Sequence, residues 1–138
     1  MSFPEWMRRM GKVYKEQGSS IFVEIPLSGF ERVMKLIRSH GIAVVNAISG
    51  YDSGKNIEIL YHFIHTGVVL TVKVKISRKN PSIPSLKELF PSADIFEREN
   101  HEMLGINFKG NKNLKPILLA EDSPTAPLRK DSGKGCSD

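Results

Sequence analysis

Residues 68–77, VVLTVKVKIS, alternate for ten positions: Val68, Leu70, Val72, Val74 and Ile76 fall on one face, and Thr71, Lys73 and Lys75 on the other. A period of two over this length specifies a strand with one buried and one wet face. The preceding segment, NIEILYHFIH at residues 56–65, alternates in the same way, and only Thr66 and Gly67 separate the two runs. A two-residue connection containing glycine predicts a tight β-hairpin, so the chain must build an antiparallel sheet with one face packed.

The other elements are read around this hairpin. Trp6, Met10, Val13 and Tyr14 recur at helical spacing between basic residues, which predicts a helix over 4–17 that starts behind Pro4 and stops at Gly18. Residues 20–26, SIFVEIP, alternate and predict a short strand ended by Pro26. Ser28 and Glu31 form the S-x-x-E pattern of a capping box. A second helix follows, with Phe30, Val33, Met34 and Ile37 on its apolar face and Gly41 at its end. Residues 42–49, IAVVNAIS, are apolar on both faces and predict a central strand, with a polar turn over 50–55.

Beyond residue 80 the texture changes. Pro81, Pro84 and Pro91 bracket a second S-x-x-E at Ser85 and Glu88, which predicts one short helical turn. Ser92 is placed to cap a helix running to about Leu104, with Gly105 as its stop. From Lys109 periodicity ends, and Pro116, Pro124 and Pro127 predict an extended arm that is ordered only by a partner. The expected fold is α+β: an antiparallel sheet of about four strands with helices on one face, in the order α-β-α-β-β-β-α. Residues 1–79 form the N-terminal α+β domain, residues 80–108 a Pro-rich segment and helix of the same domain, and residues 109–138 the arm.

Composition narrows the function classes. In a chain of 138 residues, 40% hydrophobic and 25% charged, there is enough apolar material for one modest core. No apolar run reaches the roughly 18 residues that a membrane helix needs, and the opening residues carry no apolar signal-peptide stretch, so the expectation is a cytoplasmic chain. Cys136 is the single cysteine. It allows no disulfide within the chain, and an iron–sulfur cluster usually takes about four cysteine ligands. The net charge of +5 suits nucleic acid, an anionic surface or an acidic protein partner.

The densest chemistry lies in IFERENHEMLGINFKG, residues 95–110. Asp94, Glu97, Glu99 and Glu102, with His101, are candidate metal ligands or acid–base groups. Their spacing matches no E-x-x-H motif, and His40, His62 and His65 sit on distant elements, so a solvated or ion-paired helix face explains them better. No phosphate-binding glycine loop occurs, and SGKG at residues 132–135 lies in the arm. Lys73 and Lys75, with Arg78 and Lys79 beyond, offer a track for phosphates, and a small basic nucleic-acid-binding domain is the alternative reading. The sheet face lacks the stacking aromatics that RNA-binding sheets use, and a lysine-guarded or solvated face is the simpler account.

One stretch resembles a known family. Glu97, Arg98 and Glu99, then Glu102, Gly105, Ile106, Phe108 and Gly110, are similar to the signature of the 30-kilodalton subunit family of respiratory complex I. Leu114, Ile117, Leu118, Glu121 and Asp122 continue the likeness, PLRKD at residues 127–131 matches a second family string, and PSIPSL at residues 81–86 resembles the approach to the signature. The sequence departs at Asn111 and Lys112, where the family has His-Pro, and at Lys115 and Pro116, where it has an arginine pair. These departures favour the version found in membrane-bound nickel–iron hydrogenase-type complexes over the NADH–quinone enzyme.

The resemblance implies a non-catalytic scaffold subunit with no cofactor of its own. Iron–sulfur clusters and a nickel–iron centre or quinone belong to partner subunits. The implied partners are the large catalytic subunit and the small iron–sulfur subunit, with membrane subunits reached indirectly and no nucleic acid. The implied place is the cytoplasmic side of the cell membrane, held peripherally. Glu97, Arg98 and Glu99 would pin the signature helix through charge-assisted hydrogen bonds, with Glu102 on the same helix. Gly105 and Gly110 would permit sharp turns, and Phe108 would seat in an apolar pocket. Pro127, Leu128, Arg129 and Lys130 would meet acidic groups of the large subunit.

Overall fold

The computed structural model describes residues 3–114. The central hairpin forms as the alternation requires: β4 (Ile57–His65) and β5 (Val68–Ile76) pair antiparallel from Ile57 with Ile76 to His65 with Val68. Thr66 and Gly67 both take positive φ, 47° and 82°, the pair of left-handed residues that a tight hairpin turn demands. Ile57, Ile59, Tyr61 and Phe63 on β4 and Leu70, Val72 and Val74 on β5 are wholly buried on one face.

The fold is α+β, and its main sheet is larger than expected. Among the described residues five strands, with β1 at Lys12–Gln17, β2 at Ser20–Ile25 and β3 at Ala47–Asp52, run in the order β1-β2-β5-β4-β3. β2 (Ser20–Ile25) lies parallel to β5, with Ile21, Val23 and Ile25 beside Leu70, Val72 and Val74, so the sheet is mixed. Helix α2 (Phe30–Ser39) follows β2 and covers the packed face with Phe30, Val33, Met34 and Ile37. A short 3-10 turn, Leu27–Gly29, stands where the Ser28–Glu31 box was expected, and the helix begins behind Gly29 with no side-chain cap. Gly41 turns the chain out of α2 at φ +88°.

The fifth strand comes from the first expected helix. Helix α1 is only Glu5–Arg9, and β1 (Lys12–Gln17) then pairs antiparallel with β2. Gly11 is the switch: a Cβ there would lie 2.5 Å from the Glu24 carbonyl oxygen, so the chain can cross onto β2 only without a side chain. A short helix gains little by itself, whereas β1 gains a full ladder against an apolar neighbour.

The strand expected at 42–49 is displaced. β3 spans Ala47–Asp52 and lies at the sheet edge, antiparallel to β4. The turn shrinks to the residues after Asp52, where the Asp52 carboxylate accepts from Gly54 N at 2.9 Å. β6 (Ser82–Pro84) runs parallel to β7 (Asn107–Lys109) in a separate two-stranded sheet, and the expected single helical turn follows it, closed by Phe90 N donating to the Leu86 carbonyl at 2.7 Å. Between these strands runs α3 (Ala93–Leu104), ended by Gly105 at φ 74°. Ile83, Leu86, Phe90, Leu104, Ile106 and Phe108 join the same buried core as the main sheet.

Candidate functional site at the α3 joint

Helix α3 seals the edge of β3. The Asn100 amide accepts from Gly50 N at 3.0 Å and donates to the Ile48 carbonyl at 2.9 Å. It thus offers the donor and acceptor that a further strand would supply. Ser92, expected as the helix cap, does the same one step earlier: its hydroxyl accepts from Val45 N at 3.1 Å and donates to Val45 O at 3.0 Å. Gly50 makes this approach possible, since a Cβ there would sit 2.7 Å from Leu104 Cδ1 and 2.9 Å from Asn100 Oδ1.

Glu97 is the centre of the second half of the joint. Its side chain is completely buried, and three donors converge on it: Ser85 Oγ at 2.6 Å, Leu86 N at 2.7 Å and Asn111 Nδ2 at 2.9 Å. Burial pushes its pKa up, and these hydrogen bonds oppose part of that rise. The buried Tyr61 hydroxyl is pushed well above its ordinary range, by desolvation first and by the charge of Glu97 second. Asn111 also donates to Asp94 Oδ1 at 3.0 Å, and its own carbonyl oxygen accepts from Asn113 N at 2.8 Å. Gly110, at φ +97°, turns the chain after β7 so that Asn111 returns to the helix. One carboxylate therefore ties together the segment after β6, helix α3 and the segment after β7.

The remaining signature residues are dispersed around this node. Arg98 lies 3.9 Å from Asp94, one turn earlier on α3. Glu99 is exposed, and Glu102 is buried. Phe108 is buried in the core beside Ile106, and His101 Nδ1 lies 2.8 Å from the Ile106 carbonyl oxygen, across the Gly105 turn. Pro127, Leu128, Arg129 and Lys130 lie outside the described residues, as does nearly all of the expected arm. Ser85, Asn100 and Gly50 are joint residues that the sequence pattern misplaced or passed over. The Ser85 hydroxyl does two things: it accepts from Lys87 N at 3.1 Å at the start of the following turn, and it donates to Glu97 rather than pairing with Glu88.

Two other polar clusters are internal. Asp52 and Arg78 form a two-pronged ion pair at 2.7 and 2.8 Å that fastens the end of β3 to the segment after β5. On the second sheet face, Lys73 lies between Glu24 and Glu58 at 3.8 and 3.6 Å and over the Tyr14 ring at 4.4 Å, while Lys75 pairs with Glu24. The Tyr51 hydroxyl donates to Glu58 at 2.6 Å. Of the residues weighed as a phosphate track, Lys73, Lys75 and Arg78 are thus paired with neighbouring carboxylates. Among the described residues no cluster of three or more His, Cys, Asp or Glu could hold a metal ion, and no helix is long and apolar enough to cross a membrane.

The family model described as respiratory-chain NADH dehydrogenase, 30 Kd subunit, matches residues 23–135, which include the whole joint. The chain belongs to this family. Among relatives of the 30-kilodalton subunit family, the NADH-quinone oxidoreductase C subunit of Moorella thermoacetica is 37% identical over 83 residues, covering 59% of this chain and 56% of that protein. The corresponding C subunit of Roseiflexus castenholzii is 42% identical over 83 residues, covering 59% and 48%. The chain thus spans about half the length of these two relatives. The chloroplastic NAD(P)H-quinone oxidoreductase J subunit of Buxus microphylla is 33% identical over 144 residues, covering 91% of this chain and 87% of that one. Two solved structures share the fold. A trypsin-resistant fragment of Nqo5 superposes with a TM-score of 0.71 at 22% identity, over 80% of this chain and 95% of that one. A chain of the archaeal membrane-bound sulfane sulfur reductase superposes with a TM-score of 0.77 at 20% identity, over 90% and 78%.

Proposed function

We propose that this chain is a non-catalytic scaffold subunit in the hydrophilic arm of a membrane-bound oxidoreductase complex, packing against the large catalytic subunit. The observation that carries the reading is the Glu97 node: a buried carboxylate is used to fix the point at which the chain leaves the domain, through Asn111. A joint of this kind serves to aim the segment beyond it. Residues 109–138 then act as an arm that docks on a partner, with Pro127, Leu128, Arg129 and Lys130 meeting its acidic groups. Residues 1–108 form the domain that presents the arm. Clusters and the reaction centre reside in the partners, and this chain sits peripherally on the cytoplasmic side of the membrane as part of the membrane-bound complex.

The leading branch is an energy-converting nickel–iron hydrogenase or a related sulfur-reducing complex. Asn111 and Lys112 support it, because they replace the common His-Pro of the quinone-linked subunits. The second reading, the 30-kilodalton subunit of an NADH–quinone oxidoreductase, is favoured by the names of the sequence relatives at 33–42% identity.

The deciding experiment is purification of the tagged full-length chain from its native membranes, followed by mass spectrometry of the proteins that accompany it. A nickel–iron large subunit establishes the first branch, and NADH-oxidising subunits establish the second. Recovery of a free monomer from membranes that hold an intact complex rejects the scaffold role.

A further inference from the structure

A groove of about 560 Å3 lies beside the joint, and a smaller one of about 210 Å3 continues from it. The two share Glu31, Pro84, Ser85 and Glu88 in their linings. Lys109 and Lys112 line the larger groove, and Lys35 and Leu89 the smaller. Ser85 on one side and the turn holding Lys112 on the other are tied to the same buried carboxylate, Ser85 directly and the turn through Asn111. The groove is therefore built by the joint, not by a surface accident.

Its charges are unbalanced. Lys35, Lys109 and Lys112 are exposed and form no ion pair among the described residues, while Lys87 is held 3.8 Å from Asp94. Three ammonium groups without an ion-pair partner among the described residues face two carboxylates, Glu31 and Glu88. An excess of exposed charge of one sign beside a preformed, partly apolar groove steers an oppositely charged segment into it.

We propose that this groove docks an acidic segment of a neighbouring subunit, its carboxylates on Lys109 and Lys112 and an apolar side chain against Leu89. The inference rests on the assembly role proposed above and adds a surface to it. Glu31 and Glu88 set the segment's orientation by repelling its carboxylates from their side.

The test uses the tagged full-length chain purified from native membranes as wild type, as K109E/K112E and as E31K/E88K, with partner subunits quantified by mass spectrometry. A zero-length carbodiimide, which joins amines to carboxylates in direct contact, is applied to the wild-type complex. K109E/K112E should recover its partners about fivefold less well or worse, and E31K/E88K at least as well as wild type. The thermal midpoints of the variants should be unchanged, since all four side chains are exposed. Cross-links should join Lys109 or Lys112 to a carboxylate of another subunit. Links to Glu121 or Asp122 of the same chain, links to a second copy, or normal recovery by K109E/K112E would each overturn the groove while leaving the scaffold role standing. A wild-type chain that recovers no partner overturns both.

Discussion

The Asn100 side chain binds the backbone of β3 on both sides of Ser49, taking the Gly50 N–H at 3.0 Å and giving to the Ile48 carbonyl at 2.9 Å. A side chain fifty residues downstream thus does the work of a neighbouring strand. Gly50 has no Cβ in the space that Asn100 and Leu104 fill. Gly50→Ala should therefore destabilise the protein by about 1–3 kcal/mol through overpacking. Asn100→Ala should cost about 1–3 kcal/mol by leaving two backbone groups without partners. Urea unfolding measures both, and an unchanged midpoint for either variant would refute the sealing role.

The pH dependence of Glu97 has a definite sign. Burial raises its folded pKa above the ordinary 4.5, so folding favours the protonated form. This contribution is fully present below about pH 4.5 and is lost as pH rises through the raised folded value. Gln at this position cannot ionise. The stability of wild type relative to Glu97→Gln should therefore fall as pH rises above about 4.5. A difference that grows with pH over the same range would show that the three hydrogen bonds outweigh burial.

Asn111→Asp places a third carboxylate against Glu97 and Asp94, both of which now receive the Asn111 amide. The variant should be strongly destabilised at neutral pH, by about 2 kcal/mol or more, and should recover as the medium is acidified. Hydrogen exchange at residues 107–114 should accelerate before the main sheet opens. Uniform acceleration across the chain would contradict a local joint.

The buried end of the Asp52–Arg78 pair makes its two halves unequal. Asp52 has a side chain with no exposure, whereas Arg78 keeps a quarter of its own. Arg78→Ala strands a carboxylate inside the protein and should cost about 3–5 kcal/mol. Arg78→Lys keeps the charge, loses the fork, and should cost less. Thermal melts of the two variants give the order directly.

The parts of the fold that were legible are those in which local pattern and final environment agree. Val68 to Ile76 alternate because one face of β5 meets the core. Gly105 stops α3 because the chain must turn left-handed there. β1 was hidden because Trp6, Met10, Val13 and Tyr14 have helical spacing, while the deciding fact, the close pass of Gly11 over Glu24, is tertiary. Residues 42–49 read as a central strand because they are apolar on both faces, yet Val44 is exposed and the edge of β3 is covered by a helix, not a strand. In the joint, Glu97 was visible through the family signature. Its partners Ser85 and Asn111 were not, because neither separation follows any helical or strand period.

The sealed edge of β3 also limits how copies of this sheet can join. Open-ended strand pairing needs two free edges per molecule, so that each copy can accept one neighbour and offer itself to the next. Asn100 occupies one of them, leaving β1 as the edge of the five-stranded sheet that remains open among the described residues. Two molecules that meet through β1 exhaust each other, so association by this route closes at a pair and cannot propagate into a fibre.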